Sequence, residues 1–401
     1  MQGQRIASSD FSRMIDEREV LELSRKMIRI PSRYNQEQQV SDFIFRTLDR
    51  WDLAPRRIDV PGCGPDVIAE TGPRAAPSVV LNGHMDTVEV AEGWHHDPFG
   101  GQVAGGRLYG LGALDMKSGL AALMIAFRTI AQNRLARNIN VKFQAVSGEE
   151  LSGIGTGTLV RRGEFRKARA VLVGEGFGGL RVVTNARRGG FYFDIHVLGR
   201  SAHAALPELG INAVVDSSRI VSALYEMKMP RARGLVDENL KPLAETQTVL
   251  SISGGTKSLS VPEKCSVRLV RNVVPGRRAD VGQELRRVVQ RLRLRSRVRV
   301  VLDDRPGEIY WPYLTPPSSR LVTVASSVIE RYTEKAPRLV CGVSEADDNI
   351  IAEETGVPVI CVGPGETGER ARYHQAEESI SISQLKPACE IYLGIVKELS
   401  G

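Results

Sequence analysis

The chain has 401 residues, 42% of them hydrophobic, and a formal net charge of +7, which suits two ordinary globular domains. Its opening MQGQRIASSDFSRMIDEREV has no apolar core behind a basic start, which argues against a secretory leader, and no apolar run reaches membrane-span length. Cys63, Cys265, Cys341, Cys361 and Cys389 are odd in number and scattered, with no CxxC pair, so they read as free thiols in a reducing, cytoplasmic setting.

In chain order, VSDFIFRTLDRW predicts an amphipathic helix, PSVVLNG a buried strand and SGLAALMIAFRTIAQN a strongly apolar helix. NVKFQAVSG and ARAVLVGEG predict further strands, and short apolar strands separated by helices point to an α/β sheet. From about Arg187 the pattern changes. FYFDIHVLG reads as an alternating strand, INAVVDSSRIVSALYEM as a helix, and TQTVLSISGG and KCSVRLVRNVV as two strands joined by a turn. ADVGQELRRVVQRL follows as a helix and SRVRVVLDD as a strand, the β-α-β-β-α-β order of a ferredoxin-like unit. The α/β pattern resumes with SRLVTVASSVIERYT, PVICVGPG and a last helix, LKPACEIYLGIVKEL. The expected architecture is a sheet domain with helices on both faces, residues 1–186 and 304–401, interrupted by a smaller α+β domain, residues 187–303.

Seven arginines between Arg286 and Arg299 supply much of the positive charge. In RLRLRSRVRVVL they alternate with Leu or Val, as in a strand with one solvated face, and such charges also discourage edge-to-edge pairing. The run contains no aromatic residue, so a nucleic-acid partner is not expected.

The chemistry gathers at predicted strand ends and helix starts: His84 and Asp86 in LNGHMDTV, Asp115 in GALDMKSG, Glu149 and Glu150 in VSGEEL, Glu175 in VGEGF and His374 in RYHQAEES. Open α/β sheets place their sites beyond strand C-terminal ends, and a carboxylate before a helix is favoured by the dipole. Imidazoles and carboxylates suit zinc or a close relative, and there are more of them than one tetrahedral site needs, so two metals are implied. Two metals with a bridging carboxylate activate water and polarise a carbonyl, which is hydrolytic chemistry. His95 and His96 read as solvated loop residues, and His196 as facing away from its strand's apolar side. GVSEA ends in Ala and lacks Ser-His-Asp partners, and GLGALD is no dinucleotide fingerprint.

The motifs GHMDTV, DMKSG, GEE, GEG and YHQ, with GRSAHAALPELGINAV, resemble in order the acetylornithine deacetylase, succinyl-diaminopimelate desuccinylase, aminoacylase and glutamate carboxypeptidase family. The resemblance spans nearly the whole chain. It implies a zinc-peptidase-type domain with a lid and dimerisation domain, two Zn(II) ions per subunit, Co(II) or Mn(II) as substitutes, and a homodimer formed through the lid. It also implies His84 and Glu175 on one of the two metals, Asp115 bridging, Glu150 and His374 completing the sites, and a cis peptide after Asp115. Asp86 would orient His84 by a hydrogen bond, Glu149 would be the general base, and His203 would reach a neighbouring subunit's site. Arg271, Asn212 and Gly365 are the implied substrate contacts. Leu259 stands where many members have Asn, and Val270 where many have an acid before the arginine, which leaves the substrate open. The implied reaction is hydrolysis of an N-acyl amino acid, with a carboxypeptidase or dipeptidase activity as alternative and a non-catalytic relative as the remote one.

Overall fold

The computed structural model describes residues 8–401 except 278, 279, 306 and 308, with the side chains of 8–10 also left aside. The first seven residues, part of the N-terminal reading, lie outside the described residues.

Nine strands form the main sheet. Ser78–His84 lies at its centre and is buried at every position, because β-branched and aliphatic side chains face a helical layer on both sides. Its alternation sorts the two layers. Val79 and Leu81 join the core made with helices Glu17–Ile28, Gln38–Arg50, Lys117–Gln132, Arg320–Thr333 and Leu385–Leu399, whereas Val80 joins that made with Ile154–Arg162 and Asp347–Thr355. Lys117–Gln132 is buried at every position from Lys117 to Phe127, as expected of a helix apolar all round.

Ser78–His84 runs parallel to Asn140–Val146 and Ala168–Val173, and the latter runs parallel to Val359–Cys361. Four C-terminal ends therefore open on one edge of the sheet. The loops carrying His84, Glu149, Glu150 and Glu175 leave from that edge.

A second sheet has the order Thr246–Gly254, Lys264–Val273, Gly189–Leu198, Arg297–Leu302, with every pairing antiparallel. Phe191, Phe193, Ile195, Val197, Val267 and Leu269 are buried against helices Ala213–Tyr225 and Val281–Arg291. The chain order and strand order are ferredoxin-like. His196 is exposed on the other face. One expectation needs correction: only Arg297–Leu302 of the arginine-rich run is a strand. The preceding residues end a helix at Arg291 and turn through Arg293 at φ 47°, so two elements had mimicked one alternation.

Two features were not expected from the sequence. Arg231–Val236 and Pro242–Ala244 form a hairpin whose Leu243 packs with Ala186, Val274 and Cys341, linking the two sheets. Gln102–Ala104, Arg107–Tyr109 and Ser379–Ser381 form a small sheet close in sequence to Asp115 and His374. All five cysteines are free, and among the described residues no helix is long and apolar enough to cross a membrane.

Candidate metal centre

Donor atoms of His84, Asp115 and Glu150 lie within 4.8 Å of one another. Asp115 stands between two imidazoles, with Oδ1 3.0 Å from His84 Nε2 and Oδ2 3.4 Å from His374 Nε2. His374 Nε2 is also 3.1 Å from Glu150 Oε2. Glu175 and Glu149 line both the main cleft, of about 1230 Å³, and a small cavity of about 10 Å³ that reaches His84. No hydrogen-bond partner is found for the Glu149 carboxylate among the described residues. The peptide between Asp115 and Met116 is cis.

Backbone contacts hold these side chains in place. His84 Nδ1 faces the Asp86 carbonyl oxygen at 3.1 Å, which keeps its proton there and turns Nε2 toward Asp115. The Asp86 carboxylate is farther from the ring, 3.6 Å, and instead accepts the N–H groups of Glu149 at 3.2 Å and Glu150 at 3.0 Å. Asp86 therefore shapes the turn that bears both glutamates, a broader task than the sequence suggested. The Glu378 carboxylate accepts from Gly112, Leu114 and Asp115 N–H at 3.1, 2.7 and 3.0 Å, tying the His374 loop to the Asp115 turn. Lys117 Nζ donates to the carbonyls of Met27 and Ile30 at 3.1 and 2.8 Å, anchoring the helix behind Asp115. The GEG and GPG loops interlock so closely that a Cβ on Gly365 would stand 2.0 Å from the Gly176 carbonyl oxygen.

The centre packs several carboxyl groups around two imidazoles, and burial and mutual charge shift their pKa values. Burial, reinforced by the Asp115 charge, pushes Glu175 up to about 8, and burial raises Glu149 and Glu150. The hydrogen bonds that Asp115 and Glu150 accept from its ring raise His374 to about 11. Burial works against a protonated His84, yet the Asp115 carboxylate that accepts from its ring and the nearby Asp86 carboxylate carry its pKa well above the ordinary value. Burial alone would also raise Asp115, but the two histidines hold it below the carboxylate range. Two imidazoles and several carboxylates gathered this closely form a donor set that fits divalent metal ions.

Other expected site residues lie elsewhere. Arg271 does not line the cleft: it is 1% exposed, with Nε and Nη2 on Glu245 Oε2 at 3.0 and 2.5 Å. An acid across the hairpin has captured it. Asn212 caps helix Ala213–Tyr225, its Oδ1 accepting from Val214 and Val215 N–H at 3.0 and 3.1 Å, and takes no part in the cleft wall. His203 is exposed outside the cleft, with Nδ1 accepting from Ala205 N–H at 3.1 Å. Gly365 lines a second chamber beside the cleft. His96 is not a solvated loop residue, since it stacks on Tyr109 at 4.0 Å and meets Glu377 at 2.6 Å. Glu377 and Glu378 were overlooked in RYHQAEES, although two adjacent acids close behind a ligand were a signal for them.

The model of peptidase family M20/M25/M40 matches residues 80–398. Succinyl-diaminopimelate desuccinylase of Thioalkalivibrio sulfidiphilus is 32% identical over 341 residues, 80% of this chain and 84% of that one. A tripeptidase of Staphylococcus aureus has a similar fold, with a TM-score of 0.79 at 19% identity over 96% of this chain and 99% of that chain. A dinuclear metal-binding M20 peptidase of Bacillus subtilis matches with a TM-score of 0.71 at 16% identity, over 96% and 98%. Imidazoles and carboxylates gathered at strand ends, an aspartate between two histidines and a match over most of the sequence lead to one conclusion: the chain belongs to peptidase family M20/M25/M40, a family of metallohydrolases.

Proposed function

We propose that the protein hydrolyses the amide bond of an N-acyl amino acid, using two divalent metal ions, zinc in the first place with cobalt or manganese as substitutes. The observation that carries this reading is the unpartnered Glu149 carboxylate in the cleft wall beside the His84–Asp115–His374 row. His84 and Glu175 would hold one ion, Glu150 and His374 the other, with Asp115 between them. Bound ions supply a more acidic water and a polarised carbonyl. Glu149 takes the proton of the attacking water and returns it to the leaving amine. Asp86 keeps Glu149 and Glu150 in register through their N–H groups.

Residues 187–303 serve in this reading as a lid and a homodimer contact. One edge of their sheet, Thr246–Gly254, exposes Leu250 and Ile252, whereas the opposite edge carries Arg297 and Arg299, which oppose strand addition. His203 sits beside Leu259, which is 81% exposed, and between them Ala204 N–H donates to the Leu259 carbonyl at 3.0 Å. That projecting position supports a role for His203 in a second subunit's cleft.

The test is a hydrolysis screen with Zn(II)- or Co(II)-loaded protein against N-acetyl and N-succinyl amino acids and dipeptides. Metal-dependent release of the free amino acid from an N-acyl substrate is expected. Turnover of dipeptides alone would move the assignment to a dipeptidase, and no turnover of any amide would refute it.

A further inference from the structure

One wall of the cleft carries charge that the proposed chemistry does not use. A chamber of about 340 Å³ adjoins the main cleft, and Arg181, Arg338, Glu366 and Thr367 belong to the walls of both. Arg181 immediately precedes strand Val182–Arg187, and Arg338 opens strand Arg338–Gly342. These strands pair in parallel, and Arg338 N–H donates to the Arg181 carbonyl at 2.8 Å, so the sheet fixes both arginines side by side. Val182–Arg187 runs antiparallel to Val359–Cys361, which brings its N-terminal end to the edge where the metal donors gather. Lys335 lines the main cleft close by in sequence to Arg338.

Arginines elsewhere around the cleft are answered. Arg187 pairs with Asp348 at 2.7 Å, Arg271 and Arg277 with Glu245, and Arg188 with the carbonyls of Val343 and Ala244. Among the described residues, no ion pair or hydrogen bond engages the side chains of Arg181, Arg338 or Lys335. The one acid in the chamber wall, Glu366, is already engaged by Arg107 at 2.9 Å and the N–H of Ser381 at 3.0 Å. The side chains of Arg181, Arg338 and Lys335 are exposed. What sets the two arginines apart is that neighbouring strands hold them at the wall of one chamber, where their planar forks can close on the same carboxylate.

We propose that this chamber seats a second anionic group of the substrate, a carboxylate remote from the scissile amide, held by Arg181 and Arg338 with Lys335 at the rim. The proposal rests on the reading of the main cleft as an amide-hydrolysing site and assigns it a substrate class. With Arg271 captured by Glu245, these are the free cations that the described cleft offers to such a group.

Two matched substrate pairs test it with metal-loaded protein: an N-succinyl amino acid against its N-succinamoyl analogue, and N-acetyl-glutamate against N-acetyl-glutamine. The first pair varies charge on the acyl side and the second on the amine side, so the responding pair identifies the source of the carboxylate. The anionic member of one pair is expected to be preferred about tenfold in kcat/KM. Arg181→Ala or Arg338→Ala should erase that preference through the KM of the anionic member, and Arg338→Lys should keep part of it. Hydrolysis without preference in either pair, or variants that depress both members equally, would overturn the proposal. Calorimetry with succinate as probe is independent of turnover and separates this failure from failure of the hydrolase reading. Binding should weaken about tenfold in either Arg→Ala variant; equal binding by wild type and variants would also overturn it.

Discussion

Asp86 and Glu378 receive backbone N–H groups, two and three respectively, and these bonds set where the metal donors stand. Asp86→Ala frees the Glu149–Glu150 turn without removing a donor, so metal affinity should fall by roughly 10–100-fold in a calorimetric titration. Unchanged affinity would mean that the turn holds itself. Metal binding should also depend on pH with a definite sign. Without metal, His374 is raised to about 11 and Glu175 to about 8, so both carry protons at pH 7 that an incoming cation must displace. Raising the pH from 6 to 8 should tighten binding, by up to about tenfold per pH unit for each proton displaced, with release measurable in buffers of different ionisation enthalpy. Affinity that is flat or falls over that range would contradict the assignment. The cluster of His84, Asp115, Glu150 and His374 was legible in the sequence because metal chemistry restricts residue type and the motifs keep their order. Glu378 was not, since its three acceptor contacts exist only once the Gly112–Asp115 turn meets the His374 loop. Arg271 misled for the same reason: Glu245, 26 positions away, claims it only in the folded hairpin.

Helix Lys117–Gln132 fixes Asp115 from behind, with Lys117 locked onto the Met27 and Ile30 carbonyls and Leu123 fully buried in the large core. Leu123→Ala leaves a cavity between this helix and its neighbours and should cost about 2–5 kcal/mol in denaturant unfolding of the metal-free protein. A loss well under 1 kcal/mol would show that the helix repacks freely. Periodicity exposed this helix and the central strands clearly, because long apolar runs have one reading when both sides are covered. The arginine-rich run was harder, since a helix end and a strand share the same alternation of Arg with Leu or Val. The hairpin Arg231–Ala244 was also missed: its strands are short and bury only Leu243, so they lack an apolar stripe.

At the scale of the whole molecule, the strand ends build one centre while His203 is exposed outside its own chain's cleft. If two subunits join through the Thr246–Gly254 edge, each centre borrows the other's histidine. His203→Ala should then keep its metals yet lose roughly 10²–10³-fold in kcat, the range for removing one donor to a developing oxyanion. Mixing His203→Ala with Glu149→Ala subunits should restore activity at one site per heterodimer. A fully active monomer by sedimentation, or no recovery on exchange, would exclude the arrangement. The ferredoxin-like order was legible from the pattern of elements, but which edge stays open was not. That follows from the exposure of Leu250 and Ile252 on one edge and of the arginines on the other, which only the assembled sheet reveals.

The most direct measurement is metal content and turnover on the same preparation of Glu149→Gln, which removes a proton acceptor and no proposed ligand. Two metal equivalents per chain should remain by elemental analysis, while kcat on the best N-acyl substrate falls by about 10²–10⁴-fold. Turnover near that of the wild type with both metals bound would remove Glu149 from the mechanism and contradict the proposed hydrolysis.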